Sequence, residues 1–117
     1  MNSFGIQQSR ESVKIMDKMA FPEFVRIMAR DLSLKSGACI EIYFSVDNCI
    51  EYQDAWMGKL YESDVNKHAF WYGLVPDGSQ AYDYESFEEF ASAKVFYGSK
   101  NLIEMWSEIC ILDIVDW

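Results

Sequence analysis

A chain of 117 residues that is 50% hydrophobic and 16% aromatic can build one core, so we expect residues 1–117 to form a single domain. Its formal net charge of −9 at pH 7 disfavours direct binding to nucleic acid or to an anionic membrane, because like charges repel. The first ten residues hold no apolar run, and no segment approaches the roughly 18 apolar residues of a membrane span, which predicts a soluble cytoplasmic protein.

Residues 1–37 are predicted to form a helical N-terminal segment. Pro22 suits the first turn of a helix, and Gly37 suits its end. The spacing of four apolar residues places them on one helix face: Phe21, Val25, Met28 and Leu32. An earlier helical segment over residues 9–18 is a further interpretation of the same periodicity.

Residues 38–117 are predicted to form a sheet with two helices before the last strand. From Ala38 the apolar period changes to strict alternation, which indicates a strand. A three-residue turn after it gives both strands of a hairpin one apolar face. That register pairs Val46 with Ile50, Phe44 with Tyr52, and Ile40 with Trp56.

The stretch Val75-Pro76-Asp77-Gly78 predicts a second hairpin with a type I turn and a bulge. Counting outward from the turn gives one surface with the pairs Leu74–Gln80, Tyr72–Tyr82 and Phe70–Tyr84. The opposite surface carries Gly73–Ala81 and Trp71–Asp83.

His68, the only histidine, lies across from Ser86 in this register. Ser86 and Glu89 form a capping box, so a helix should begin there. Because the positive end of a helix disfavours imidazolium, we interpret His68 as a neutral structural histidine hydrogen-bonded at the cap. A catalytic role is the alternative, with Tyr84 and Glu85 as the nearest polar groups.

The last third predicts a short helix and a closing strand. Gly98 is a helix stop, Asn101 with Glu104 forms a weak capping box, and residues 110–115 have the composition of a buried strand flanked by other strands. The predicted fold class is therefore α+β, with a mainly antiparallel sheet of about five strands and helices packed on one face.

Cysteine usage argues against a metal or disulfide framework. Cys39, Cys49 and Cys110 form an odd set without C-x-x-C spacing, which is typical of reduced thiols. A zinc site that adds His68 is the alternative, but the predicted hairpin separates Cys39 from Cys49 by about 23 Å at 3.3 Å per residue. We expect no metal and no cofactor.

The leading functional hypothesis is a non-enzymatic interaction module of the inhibitor, immunity or adaptor kind. The sequence contains no phosphate-binding glycine loop, H-E-x-x-H, G-x-S-x-G or EF-hand motif. Residues 38–117 carry fifteen acidic and four basic residues, which favours a basic protein partner. The predicted binding residues share the sheet surface that faces away from the helices: Glu41, Tyr43, Trp71 and Asp83, with Val75 beside them.

Three alternatives stay open at this stage. The first is a small-molecule binder or enzyme with a pocket between helices and sheet, lined by His68, Tyr72, Tyr82, Tyr84 and Trp106. The second is a nucleic-acid mimic whose carboxylates imitate phosphates. The third is that the outer aromatics are covered, by a second copy of the chain, by the N-terminal segment or by a loop over residues 57–67.

Overall fold

The computed structural model describes residues 12–34 and 38–116, which form an antiparallel sheet with short helices. The elements in chain order are β1 (Ser12–Asp17), α1 (Phe21–Met28), β2 (Cys39–Val46), β3 (Ala55–Glu62), β4 (Lys67–Gly73), β5 (Ala81–Tyr84), α2 (Phe87–Ser92), α3 (Leu102–Met105), a 3₁₀ turn (Trp106–Glu108) and β6 (Ile109–Asp116). The strand order is β1-β6-β2-β3-β4-β5. The predicted α+β class and antiparallel sheet are confirmed, and β1 adds a strand to the five that were predicted.

The C-terminal strand β6 lies between β1 and β2, as its apolar composition predicted. Asp113, the charged residue in its interior, is buried and stands opposite Lys14 of β1 and Tyr43 of β2 in the register. A strand flanked on both sides satisfies its backbone groups within the sheet, so β6 can carry apolar residues on both faces.

The N-terminal segment differs from the helical prediction. Residues 12–17 form a strand that pairs with β6, because Ser-Val-Lys-Ile-Met-Asp also fits a strand beside an apolar neighbour. Residues 9–11 of the proposed early helix and Gly37, its proposed later end, lie outside the described residues. Helix α1 begins at Phe21 with proline in its first turn but ends at Met28. Phe24 and Met28 form its buried face, and Leu32 is buried beyond the helix.

The register of the first hairpin was predicted wrongly. Strand β3 begins only at Ala55, which pairs with Phe44, and Trp56 pairs with Tyr43 instead of Ile40. Ile50, the predicted partner of Val46, is 94% exposed. Residues 57–62, which were considered as a covering loop, belong to strand β3.

A wide turn over residues 47–54 explains the shift. The N–H of Val46 donates to the carbonyl of Tyr52 at 2.8 Å. The side-chain amide nitrogen of Gln53, Nε2, donates to the backbone carbonyls of Val46 and Cys49, at 2.9 and 2.6 Å. These bonds close a larger loop than a three-residue turn, and the odd change in loop length moves Trp56 to the opposite sheet face.

The second hairpin has the predicted register. Phe70 pairs with Tyr84 and Trp71 pairs with Asp83. Gly78 adopts a φ of 82°, and its N–H donates to the carbonyl of Val75 at 3.2 Å. The Pro-Asp-Gly turn chemistry therefore sets the pairing of β4 with β5.

The helices contribute aromatic side chains to the core, among them Phe24 of α1 and Phe90 of α2. The ring of Tyr72 stacks on Phe90 with a centroid distance of 4.2 Å, and its hydroxyl donates to the carbonyl of Phe90 at 2.7 Å. Ser86 and Asn101 cap α2 and α3 by accepting the N–H groups of Glu89 and Glu104. The predicted capping box is complete at Asn101, whose own N–H donates to the Glu104 carboxylate. None of the helices in the described ranges combines the length and apolar character that crossing a bilayer requires.

Candidate functional site

The candidate site is the sheet surface of β2–β5 that faces away from the core, which we call the outer face. Alternation places Ile40, Ile42 and Phe44 in the core, so the intervening β2 side chains point outward. Cross-strand pairing extends the same surface to β3, β4 and β5. Its principal side chains are Glu41, Tyr43, Trp56, Leu60, Trp71 and Asp83.

Three aromatic rings form a continuous cluster on the outer face. Tyr43 stacks on Trp56 with ring centroids 5.6 Å apart and an interplanar angle of 16°. Trp56 meets Trp71 edge to face at 4.6 Å and 71°. Trp56 remains 36% exposed, so the cluster presents an aromatic surface to solvent. Aromatic pairs in this geometry hold each other in place and limit side-chain freedom.

Two glycines leave the space in which the indoles lie. Gly58 stands directly across from Trp71, and Gly73 stands across from Trp56. A Cβ at Gly58 would lie 2.4 Å from the Trp71 ring, and a Cβ at Gly73 would lie 2.1 Å from Nε1 of Trp56. Both distances are shorter than any real contact, so each indole covers the backbone of its cross-strand glycine. The cluster is thereby held against the sheet.

Three open depressions lie on the outer face, and Trp71 lines two of them. The first, which we call the central depression, has a volume of about 310 Å³ and is lined by Cys39, Glu41, Trp56, Leu60, Trp71 and Asp83. The second, about 350 Å³, lies between the two tryptophans and the Pro76 turn. The third, about 360 Å³, lies between Leu60 and Glu85. Asp83 borders all three of these depressions.

The charges around the aromatic cluster are negative. Glu41 accepts a hydrogen bond from the Tyr43 hydroxyl at 3.0 Å, and Asp83 is exposed on β5. Of the described outer-face positions on β2–β5, Lys67 is the only basic one, and its ammonium lies 3.8 Å from the Glu85 carboxylate. An aromatic surface edged by carboxylates attracts cationic groups.

The structure brings the four predicted binding residues, Glu41, Tyr43, Trp71 and Asp83, onto one surface. It adds Trp56, which sequence reasoning placed in the core because of the wrong hairpin register. A signal was present in the glycines, since a glycine within a strand often marks a close approach of another group. Gly58 in β3 and Gly73 in β4 mark the tryptophan positions on the opposite strands.

The residues of the predicted tyrosine pocket are not brought together around one space. Tyr72 is buried against Phe90, and Tyr82 and Tyr84 are half-buried along β5. Trp106 packs against Phe21 and Phe24 and donates its indole N–H to the carbonyl of Met19 at 2.6 Å. Described side chains therefore occupy the space beside Tyr72 and the space beside Trp106.

His68 borders a separate open groove of about 720 Å³, whose other lining residues are Lys59, Asn66, Lys67, Phe70, Glu85, Ser86 and Glu89. It stands opposite Tyr61 in the register and shares the groove with Ser86 at the start of α2. The sequence predicted a hydrogen bond between His68 and the helix cap at Ser86. In the structure, Nε2 of His68 instead accepts the N–H of Leu32 at 2.9 Å. His68 thus attaches β4 to the segment after α1.

The hydrogen bond also fixes the protonation state of His68. An Nε2 atom that accepts an N–H carries no proton, so the imidazole is neutral with its proton on Nδ1. Burial lowers the pKa of His68, and nearby Lys59 lowers it further, against a smaller opposite effect of Asp31. The Asp31 carboxylate lies 3.5 Å from Nε2, and it becomes an ion-pair partner only if the ring is protonated.

This arrangement predicts a stability loss in mild acid. Because the folded pKa of His68 lies below its unfolded value of about 6.5, the contribution is present above pH 6.5 and is lost as the pH falls through the folded pKa. We expect His68→Ala to lower the free energy of unfolding by about 1–2 kcal/mol at pH 7.5. Urea denaturation at pH 7.5 and 5.0 measures the free energy of unfolding of both proteins. If the stability difference between wild type and His68→Ala were larger at pH 5.0 than at pH 7.5, the neutral state of His68 would be contradicted.

Lys59 is a buried basic residue that lines the His68 groove. It is 4% exposed, and its ammonium donates to the carbonyl of Met28 at 2.8 Å and to that of Arg30. The same ammonium lies 5.3 Å from the ring centroid of Phe70. Burial lowers its pKa. Lys59 therefore holds the C-terminal end of α1 on the sheet and is not available to a ligand in the His68 groove.

The three cysteines are free thiols. Within residues 12–34 and 38–116, no three histidine, cysteine or acidic side chains are grouped as a metal ion would require. No protein-family model matches this sequence, no curated protein is significantly similar to it, and no solved structure is significantly similar to its fold.

Proposed function

We propose that this chain is a non-enzymatic interaction module that binds a basic protein through its outer face, in the manner of an inhibitor or adaptor. The observation that carries the proposal is the exposed aromatic cluster of Tyr43, Trp56 and Trp71, laid over two glycines and edged by carboxylates. No other exposed aromatic group in the described ranges combines these features.

The energetics of interfaces support this assignment. Tryptophan and tyrosine are enriched among the residues that dominate binding energy, and rigid rings lose little conformational entropy on binding. The cross-strand glycines restrict Trp56 and Trp71 before any partner arrives, which reduces the ordering cost further. Glu41 and Asp83 would select a basic partner and accelerate its encounter.

The environment of His68 favours a binding role over catalysis. Its Nε2 is occupied by a backbone N–H, and the neighbouring Lys59 ammonium is engaged by two carbonyls. A general base must be within hydrogen-bond reach of the proton that it removes. The imidazole of His68 and the ammonium of Lys59 are the groups in the groove best suited to proton transfer. Their hydrogen bonds already attach α1 and the segment after it to the sheet.

The proposal is tested by capture of the partner at low salt and at about 0.5 M salt, where the Debye length is only a few Å. We expect a basic protein at low salt and its loss at high salt. Combining Trp71→Ala with Asp83→Lys should weaken binding at least about 100-fold, since a central aromatic anchor and a charge are both lost. Affinity is measured with the identified partner by titration calorimetry.

A matched control uses the β3–β4 turn, which lies at the end of the sheet. Asp64→Lys with Val65→Ala makes the same charge change and removes an exposed apolar side chain. This control should bind within about threefold of wild type, since rim charges have small effects. Equal binding by the two double variants would overturn the outer-face assignment. Analytical ultracentrifugation of the chain alone would show whether a second copy occupies the face instead.

A further inference from the structure

We infer that the central depression on the outer face is a receptor for one arginine side chain of the partner protein. This inference rests on the proposed function, because it names the group that the partner inserts. The depression is lined by two indoles and two carboxylates, those of Trp56, Trp71, Glu41 and Asp83. Leu60 and Cys39 complete the lining.

The size of the depression suits a single side chain. Its volume of about 310 Å³ is at the lower limit of sites that accept drug-sized ligands, roughly 300–1,000 Å³. It is open to solvent, and Trp56 in its lining is 36% exposed. A side chain projecting from a partner surface could therefore enter without any rearrangement of the sheet.

The lining fits both halves of an arginine. The indoles and Leu60 offer apolar surface to the three methylene groups of the stem, as long basic side chains require. The same indoles attract a cation over their faces, by about 0.5–2 kcal/mol. Glu41 and Asp83 supply acceptors for the guanidinium N–H groups. No basic side chain of the described residues lines the depression to compete with the incoming cation.

The Cys39 thiol in the lining carries no charge. Burial raises the pKa of Cys39, and the nearby carboxylates of Glu41 and Asp116 raise it further. The thiol therefore stays protonated at neutral pH and acts as apolar wall. The negative charge of the depression comes from Glu41 and Asp83 alone.

Arginine fits better than lysine for two geometric reasons. Its planar guanidinium stacks on an indole, whereas an ammonium is a point charge that is more strongly hydrated. Its donors form a fork that can bond one carboxylate in a bidentate manner while the plane stacks on an indole. Glu41 on β2 and Asp83 on β5 lie three strand spacings apart, so the guanidinium pairs with one of them and the other adds to the negative field. We expect an arginine probe to bind at least about threefold more tightly than its lysine counterpart.

The test is an NMR titration of the full chain with N-acetyl-arginine N-methylamide to about 50 mM, because one side chain binds in the millimolar range. The indole N–H resonances of Trp56 and Trp71 report the site. The indole of Trp106 is an internal control, since it donates to the carbonyl of Met19 and does not line the depression. We expect saturable shifts at Trp56 and Trp71 and none at Trp106.

Two comparisons isolate the charge. The citrulline analogue has nearly the same shape without the positive charge and should bind at least about tenfold more weakly. Glu41→Gln with Asp83→Asn should weaken arginine binding by a similar factor while the indole resonances keep their positions in the free protein. Equal affinity for citrulline, shifts at Trp106, or no shift at Trp56 and Trp71 would each overturn the inference.

The outcomes separate this inference from the proposed function. If the partner is captured through Trp71 but the Glu41→Gln/Asp83→Asn variant binds it as well as wild type does, the interaction function stands and the arginine receptor is refuted. If arginine binds as expected but no basic protein is retained at low salt, the depression is an arginine site, but the proposed function is refuted and with it the assignment of that arginine to a partner protein.

Discussion

Gly58→Ala should lower the free energy of unfolding by about 2 kcal/mol, and the melting temperature by roughly 8 °C. Alanine is ordinarily the better residue in a strand, by about 0.5–1 kcal/mol. Here the added Cβ would lie 2.2 Å from the carbonyl oxygen of Ile40 and 2.4 Å from the Trp71 ring. The backbone oxygen cannot move without disturbing the β2–β3 pairing, so the steric cost exceeds the gain.

Gly73→Ala is the matched comparison, because the three atoms nearest to its added Cβ all belong to the side chain of Trp56. A partly exposed indole can rotate toward solvent, so we expect a stability change within about 1 kcal/mol and a clear displacement of the Trp56 indole resonance. Urea denaturation and the indole N–H spectrum measure the two effects. If both glycine variants were equally stable, the close packing of Trp71 over Gly58 would be refuted.

The same pair of variants connects stability to function. Gly58→Ala acts mainly on the sheet, whereas Gly73→Ala acts mainly on the aromatic cluster of the outer face. A partner that recognises the cluster should therefore bind Gly73→Ala at least about tenfold more weakly, although this variant is nearly as stable as wild type. Such a result would separate recognition from folding. Truncating a tryptophan cannot do so, because it removes the packing of the indole on the sheet and its contact with the partner at the same time.

Local chemistry accounts for the parts of the fold that the sequence predicts well. The β4–β5 register follows from Pro76 and Gly78, which determine the turn and hence the pairing of Trp71 with Asp83. The caps at Ser86 and Asn101 join each side chain to the backbone N–H three residues on, that of Glu89 or Glu104. In each case, the residues that decide the structure lie within a few positions of one another.

The parts that were missed depend on contacts between distant residues. The turn over residues 47–54 is stabilised by the Gln53 side chain and by the hydroxyl of Tyr52, which donates to Gln80 and accepts the N–H of Tyr97. No alternation pattern encodes those partners. The helical periodicity of residues 9–18 was equally misleading, because strand β1 is selected by β6 at the other end of the chain.

The candidate site combines residues that the sequence predicts correctly with one that it places wrongly. Glu41, Tyr43, Trp71 and Asp83 follow from parity within single strands and from one correct turn, and the structure places them on one surface. Trp56 depends on the parity of the first hairpin, where an error of one position transfers a side chain to the other face. The aromatic cluster is therefore a property of the register between β2 and β3, for which the strand glycines Gly58 and Gly73 were the sequence signal.

Lys59→Met carries the second large expected effect, a loss of about 2 kcal/mol in the free energy of unfolding. Methionine keeps an unbranched apolar stem in a site that is 4% exposed, but it cannot donate to the carbonyls of Met28 and Arg30. Met28 is the last residue of α1 and Arg30 follows two positions later, so both carbonyls lie at the C-terminal end of the helix, where its dipole also favours a cation. Their loss of a charged donor should loosen α1 from the sheet.

Two effects compete in this variant, and the measurement decides between them. Removing a buried charge recovers its desolvation cost, which is the cause of the lowered pKa of Lys59. Each charged hydrogen bond contributes about 1.5–3 kcal/mol, so two of them should exceed that recovery. Urea denaturation compares Lys59→Met with Lys67→Met, whose parent side chain is 59% exposed and should cost at most about 0.5 kcal/mol. A Lys59→Met protein as stable as wild type would mean that desolvation cancels the hydrogen bonds and that apolar packing alone holds α1 on the sheet.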